Sequence, residues 1–132
     1  MVRLYAYLSY ADAPAGLRWL EAVGFAVTHR QLGADGEVVH AEVRWGEAIL
    51  MVSGQDQEYE RPRLVERSTG QGLYLLLATR EGVDAWHDRA VAAGGTSVIP
   101  PEDTGWGSHR ARVLDPEGVE WSAGTYEPGR SG

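Results

Sequence analysis

The chain has 132 residues, 43% of them hydrophobic, which is enough to bury one compact core or two small modules around a shared core. It contains no cysteine, which excludes disulfides and thiolate metal sites. Twelve basic and nineteen acidic residues give a net charge of −7, which argues against a surface for nucleic acid or for an anionic membrane. Neither an apolar run of about 20 residues nor a signal-peptide pattern is visible, so we expect a cytoplasmic protein without a membrane segment.

The first predicted element is a strand with an aliphatic face and an aromatic face. Polar and apolar residues alternate over residues 2–10, which is typical of a half-buried strand. The alternation places Leu4 and Leu8 on one face and Tyr5 and Tyr7 on the other. If the leucines pack against a helix, the tyrosines face a cleft.

A helix and three strands are predicted to complete a first module at about residues 1–54. Asp12 is a typical helix N-cap with Pro14 in the first turn, and Gly24 is a typical helix end. A tight turn of glycine and glutamate separates the last two strands and predicts a hairpin. The three strands are expected at residues 25–32, 38–45 and 48–53.

A polar segment at residues 55–71 predicts a linker loop, after which the pattern restarts as a second module at about 72–127. The second module opens on an apolar strand over 72–79, followed by a helix that Thr79 caps and Gly94 ends. The apolar face of this helix is expected to comprise Val83, Trp86, Ala90 and Val91, and His87 is expected at the surface.

The last part of the chain predicts a short strand and a hairpin. The short strand begins at Thr96 and is expected to stop at the two prolines, Pro100 and Pro101. Two further strands, at 109–115 and 119–126, flank a tight Asp-Pro-Glu-Gly turn whose acidic side chains shape the backbone.

Both modules therefore share the order strand, helix and three strands. Since one helix covers only one face of a four-stranded sheet, the other face stays open, and two such modules can pair across a shared cleft. We predict an α+β fold of two paired βαβββ modules with concave sheets. The chain has five tryptophans and six tyrosines but only one phenylalanine. Because tryptophan and tyrosine carry a polar group beside an apolar ring, they suit the partly hydrated surface of such a cleft.

Three stretches in this order resemble the vicinal oxygen chelate superfamily of glyoxalases, bleomycin-resistance proteins and dioxygenases. They are "YADAPAGLRWLEAVGF", "HAEVRWGEAILMVS" and "WGSHRARVLDPEGVEWSAGTY", and the resemblance covers nearly the whole chain. It implies a glyoxalase/bleomycin-resistance-like fold and a homodimer, in some members domain-swapped, with ligand sites at the interface.

The enzymes of this superfamily hold a divalent metal with His and Glu side chains from the first strand of each module and the last strand. By the resemblance, these positions fall on Tyr5, on or beside Leu73, and on Ser122. Leucine cannot bind a metal, and tyrosine and serine are poor ligands beside His and carboxylate. The chain is thus similar to the metal-free drug-binding members, and we expect no metal and no cofactor.

The resemblance implies a protein that sequesters a small aromatic or peptide-type antibiotic and confers resistance. Trp106 stands between two glycines in a loop, which favours a stacking role over core packing. Trp86 and Trp121 are expected in the core. The predicted ligand-binding residues are Tyr5, Tyr7, His40, Trp45, Trp106, His109, Arg112 and Ser122.

Two enzymatic alternatives remain open from the residues. His40 and Glu42 share one strand face and, with His109, suggest a shifted divalent-metal site of a glyoxalase-like lyase or dioxygenase. A cofactor-free isomerase or epoxide-type enzyme that uses Tyr5 or Glu42 is the other.

Overall fold

The structure, a computed structural model, describes residues 1–54 and 60–129; the first part of the predicted linker, 55–59, lies outside the described residues. The chain divides into two compact units, Met1–Glu60 and Arg61–Gly132. The elements are β1 (Ala6–Tyr10), α1 (Ala13–Val23), β2 (Ala26–Leu32), β3 (Val38–Trp45), β4 (Ala48–Gly54), β5 (Leu73–Leu76), α2 (Arg80–Ala92), β6 (Thr96–Asp103), β7 (His109–Leu114) and β8 (Glu120–Gly124).

The two units have the same topology. The first sheet has the order β1-β4-β3-β2 and the second β5-β8-β7-β6. In each sheet the first strand pairs in parallel with the last one, and the other pairs are antiparallel. Each helix packs on its own sheet and leaves the opposite face open. The predicted α+β class with two βαβββ modules is confirmed.

Capping and apolar spacing explain helix α1. The Asp12 side chain accepts a hydrogen bond from the Ala15 backbone N–H at 3.1 Å, which satisfies one of the free donors of the first turn. Gly24 ends the helix with a φ of +140°, a conformation that favours glycine. Leu17 and Leu20 of the helix are buried against the sheet.

The second unit has its own core under α2. Thr79 caps this helix by accepting from the Gly82 N–H at 3.0 Å, as predicted. His87 lies against β6, where its Nε2 is 2.7 Å from the Ser97 hydroxyl, and it is not a surface residue. Val91 is exposed, since the buried side of the helix runs through Val83, Trp86 and Ala90.

Strand β1 is shorter than predicted. The alternation of the sequence continues back to Val2, but pairing with β4 begins only at Ala6, which lies opposite Leu50. Val2 and Leu4 pair with no strand within residues 1–54 and 60–129, and both are exposed. Alternation alone therefore overestimates the length of a strand whose partner has ended.

The two prolines near residue 100 do not end their strand, and this prediction was wrong. Strand β6 runs through Pro100 and Pro101 to Asp103. It is the edge strand of its sheet, and its register with β7 is irregular on both sides of Ile99. An edge strand tolerates proline because one side of it has no ladder hydrogen bonds to lose.

Within residues 1–54 and 60–129, no helix has the length and apolar character needed to cross a bilayer.

Candidate functional site

The turn between β7 and β8 sets the orientation of the last strand. The carboxylate of Asp115 accepts hydrogen bonds from the backbone N–H groups of Glu117 and Val119, both at 3.0 Å, and from Nε1 of Trp121 at 3.3 Å. Trp121 is thereby fixed in the core. Since side chains alternate along a strand, Ser122 projects onto the open face of the sheet.

A cavity of 330 Å³ lies on this open face of the second unit, and aromatic side chains surround it. Trp106 is 64% exposed, Tyr126 52% and Tyr74 41%, although all three are large and apolar. The Tyr74 hydroxyl donates to the Tyr126 carbonyl at 2.6 Å. Burial raises the pKa of Tyr74, which therefore stays a neutral donor.

Arg110 forms one wall of the cavity. Its Nε and Nη2 donate to Oε1 of Glu102 at 3.1 and 2.9 Å. Its guanidinium carbon lies 5.3 Å from the ring centroid of Trp106, within the range of a cation–π interaction. Arg110 thus holds the exposed Trp106 in place at the rim.

Arg112 crosses the floor of the cavity. Its Nε donates to the Ser122 hydroxyl at 2.9 Å, and its Nη1 donates to the Arg67 carbonyl at 2.6 Å. The Nε also lies 3.7 Å from Oε2 of Glu120. The guanidinium therefore links strand β8 to the segment that precedes β5.

Glu120 anchors that segment, residues 65–70, which we call the strap. Its side chain is 6% exposed, and its carboxylate accepts from the Thr69 backbone N–H at 2.6 Å and from the Ser68 and Thr69 hydroxyls at 3.2 Å. Backbone bonds between Val65 and Ser68 close the strap into a tight turn. A buried carboxylate is stable here because it is fully hydrogen-bonded.

The predicted site residues separate into distinct groups. The structure brings Trp106, Arg112 and Ser122 together around the cavity of the second unit. Tyr7 and His40 lie on the open face of the first sheet, and Tyr5 lies just before it.

Trp45 lies on the helix-covered face of the first sheet. Its ring meets Phe25 edge-on at 5.8 Å between centroids and approaches the backbone of Gly24. Val39 is not on this face, since the register of β2 with β3 shifts there and leaves Val39 exposed. Trp45 therefore packs at the end of helix α1, on the opposite face from His40.

His40 and Glu42 form a pair on the open face of the first sheet. His40 Nε2 lies 2.9 Å from Oε2 of Glu42, and the ring of His29 lies 6.0 Å from that of His40. The hydrogen bond from His40 lowers the pKa of Glu42. The carboxylate is thus ionised and solvent-exposed at neutral pH, which does not suit a general base poised near pH 7.

His109 lies on the other side of the second sheet from Arg112. Its Nε2 is 2.7 Å from Asp84 of helix α2, and its Nδ1 is 2.9 Å from Asp103, which also pairs with Arg80. The hydrogen bonds to Asp84 and then Asp103 raise the pKa of His109. Because both ring nitrogens are engaged, neither is free to bind a metal.

We expect this cluster to make stability depend on pH. A raised pKa means that the charged His109 stabilises the fold fully below its ordinary pKa of 6.5, and that this stabilisation is lost as pH rises through the raised value. The Asp84→Asn variant should lower the pKa of His109, as measured by NMR titration of its ring protons. Asp88→Asn, in an exposed position on the same helix, is the control. An unchanged titration in Asp84→Asn would contradict the assignment.

The residues at the superfamily's metal positions do not fit a divalent cation. The Ser122 hydroxyl is already bonded to the positive guanidinium of Arg112 at 2.9 Å, and a cation there would be repelled by that charge. In the described part of the chain, no three His, Asp or Glu side chains converge into a group that would hold a metal.

Four residues of the site were not among those predicted: Tyr74, Arg110, Glu120 and Tyr126. Arg110 and Glu120 are two residues from Arg112 and Ser122 on the same strands, so strand alternation was the available signal. Tyr74 lies opposite Ser122 in the parallel β5–β8 pair, which no local pattern reveals.

Solved structures share this fold. TioX from Micromonospora sp. ML1 is 26% identical, with a TM-score of 0.72 over 96% of this chain and all (100%) of its own. A glyoxalase-related enzyme from Fulvimarina pelagi is 21% identical, with a TM-score of 0.72 over 94% of this chain and 88% of its own. A bleomycin-binding protein complexed with bleomycin is 19% identical, with a TM-score of 0.62 over 96% of this chain and 100% of its own.

The sequence is also similar to uncharacterised mycobacterial proteins. Mb0911c of Mycobacterium bovis and Rv0887c of Mycobacterium tuberculosis are each 33% identical over 93 residues, 70% of this chain. The match spans 61% and 55% of those proteins. The sequence-family model of the Glyoxalase/Bleomycin resistance protein/Dioxygenase superfamily matches residues 5–123. The chain therefore belongs to this superfamily.

Proposed function

We propose that this protein binds and sequesters a small aromatic or peptide-type antibiotic and thereby confers resistance. The observation that carries the proposal is the ring of exposed aromatic side chains, Tyr74, Trp106 and Tyr126, around one cavity. Large apolar side chains that stay exposed side by side mark a binding surface more often than a chance arrangement.

The cavity has the size and lining of a stacking site. Its volume of 330 Å³ is at the lower end for small-molecule pockets, so it fits one aromatic group rather than a whole large antibiotic. Each well-placed aromatic pair contributes about 1 kcal/mol beyond the burial of area. Stacking and burial together suffice for micromolar affinity, which corresponds to about −8 kcal/mol.

The chemistry of the floor favours binding over metal-assisted turnover. The resemblance implies that Ser122 stands at the position of a metal ligand in superfamily enzymes, and its hydroxyl here accepts from the guanidinium of Arg112. The bleomycin-binding neighbour has the same fold, which supports drug binding as a use of this architecture.

The Trp106→Ala variant should lose at least about tenfold in affinity, since it removes the most exposed ring of the cavity. Its thermal stability should change little because the side chain is 64% exposed. Titration calorimetry with bleomycin and a panel of planar aromatic antibiotics measures the affinity. Val91→Ala, an exposed apolar position on α2 outside the cavity, is the matched control. Equal affinities of wild type and Trp106→Ala would contradict the assignment of the site.

The same panel separates sequestration from the enzymatic alternatives. We expect the ligand to be recovered unchanged and binding to survive treatment with a chelator. Turnover of the ligand, or binding that requires metal, would instead support a lyase or dioxygenase. The homodimer and the cytoplasmic location stay predictions, and light scattering coupled to size-exclusion chromatography measures the first of them.

A further inference from the structure

We propose that the ligand of this cavity carries a carboxylate beside its aromatic ring, and that Arg110 and Arg112 bind it. This inference rests on the proposed function of the same site and names the chemistry it selects. The argument depends on which hydrogen-bonding groups of the cavity are already used and which are not.

The unused groups are donors. Arg110 uses Nε and Nη2 on Glu102, and within the described residues its Nη1 has no partner. Arg112 uses Nε on Ser122 and Nη1 on Arg67, which likewise leaves Nη2 without a partner in the described chain. The Ser122 oxygen accepts from Arg112, and among residues 1–54 and 60–129 its own O–H has no acceptor.

The carboxylate and one backbone carbonyl that line the cavity already accept hydrogen bonds from the protein. The carboxylate of Glu120 is buried and accepts from the Thr69 N–H and the Ser68 hydroxyl of the strap, while the Thr69 hydroxyl, which also donates to the Gln71 carbonyl at 2.7 Å, lies 3.2 Å from it. The Tyr126 carbonyl accepts from the Tyr74 hydroxyl, and Glu102, which does not line the cavity, directs its Oε1 to Arg110. A ligand that offers only donors would meet few groups able to receive them, whereas a ligand with acceptor oxygens would meet several.

The local charge favours an anion, in contrast to the whole chain. Three guanidinium groups, of Arg67, Arg110 and Arg112, stand against the two carboxylates of Glu102 and Glu120. One positive charge is therefore left over in this network, of which Arg110, Arg112 and Glu120 line the cavity, although the protein carries a net charge of −7. Guanidinium matches the planar geometry of a carboxylate and hydrogen-bonds to it strongly.

The positions of Arg110, Arg112 and Trp106 suit a ligand whose carboxylate is attached to an aromatic ring. Arg110 and Arg112 are separated by one residue on β7, so their Cα atoms are about 7 Å apart and both side chains project to the same face. Trp106 stacks on Arg110 at the rim. A planar acid with its ring against Trp106 thus lies in the same cavity as both guanidinium groups.

The test compares three probes of the same shape by titration calorimetry: 2-naphthoate, 2-naphthamide and 2-naphthylmethylammonium. We expect the wild-type protein to bind the carboxylate at least about tenfold more tightly than the amide, and the ammonium most weakly. The preference should weaken with added salt, since the site is partly exposed.

Variants of the two arginines then show which side chain causes the preference for the carboxylate probe over the amide. Arg112→Gln should lower the ratio of carboxylate to amide affinity at least about threefold, with Arg110 still present, and Arg112→Lys should restore part of it, because lysine keeps the charge but not the planar geometry. Arg110→Gln is the second variant, should Arg112→Gln fail to fold. Arg63→Gln, an exposed arginine outside the cavity, is the charge-matched control and should leave the ratio unchanged.

The outcomes distinguish the two proposals. Equal binding of the carboxylate and the amide, or tighter binding of the ammonium, would overturn the anionic ligand and leave the aromatic site intact. A carboxylate preference that Arg112→Gln and Arg110→Gln do not reduce would place the acid elsewhere and also overturn it. If no probe and no aromatic antibiotic binds, the proposed function fails together with this inference.

Discussion

The Asp115→Ala variant should lose about 3 kcal/mol of its free energy of unfolding, because hydrogen bonds to a charged group each contribute roughly 1.5 to 3 kcal/mol. The Asp115 side chain is 3% exposed, and its carboxylate accepts from Glu117, Val119 and Trp121. Alanine removes all three acceptor contacts at once and leaves the buried indole N–H without this partner. Urea unfolding followed by circular dichroism measures the loss, which corresponds to a decrease in Tm of about 10 °C.

Two further variants test whether the loss of stability comes from the Asp115 carboxylate. Asp115→Asn keeps one acceptor oxygen and should lose less than the alanine variant. Asp88→Ala removes an aspartate that is largely exposed on α2 and should change stability by no more than about 0.5 kcal/mol. A loss below about 1 kcal/mol in Asp115→Ala would show that the turn holds its shape without the carboxylate.

The Glu120→Ala variant should release the strap and lose about 2 to 4 kcal/mol of stability, because removing one partner of a buried charged group leaves the others unsatisfied. The Thr69 N–H, which donates to Glu120 at 2.6 Å, would lose its acceptor, and Arg112 would lose its nearest carboxylate. We expect the Thr69 amide to exchange with deuterium at least about tenfold faster. Trypsin should also cleave more rapidly after Arg67, whose carbonyl is held by Arg112.

Matched variants separate the strap from general destabilisation. Glu120→Gln keeps an acceptor oxygen without the charge and should give an intermediate exchange rate. Glu117→Gln removes a carboxylate of the neighbouring turn that pairs with Arg61 at 3.3 Å, and it should leave cleavage after Arg67 unchanged. If the strap exchanges at the wild-type rate in Glu120→Ala, Glu120 is not its anchor.

Local signals were sufficient to predict both helices and the fold class. Asp12 and Thr79 cap the helices as their positions in the sequence predict, because a cap depends only on residues within one turn. The errors at Val2 and at Pro100 share one cause. Whether a residue belongs to a strand depends on a neighbour far along the chain, and proline is tolerated only where the strand lies at an edge.

The candidate site was predictable only in part. Trp106 was identified because two flanking glycines make a core role improbable, and Ser122 because the resemblance singled out its position. Glu120 looked like an ordinary polar residue of a strand, and its role depends on the strap that folds over it from 51 residues earlier in the chain. Tyr74 required the register of the β5–β8 pair.

The strand order of the second sheet also governs when the cavity can exist during synthesis. Strand β8 is made last but lies between β5 and β7. A nascent chain that stops after β7 lacks the strand that pairs with both β5 and β7. Domains fold as units as they leave the ribosome, so the floor residue Ser122 and the strap anchor Glu120 arrive in the same step that closes the sheet. A chain without β8 therefore lacks the floor and the strap anchor of the cavity, so ligand binding requires that β8 has joined the sheet.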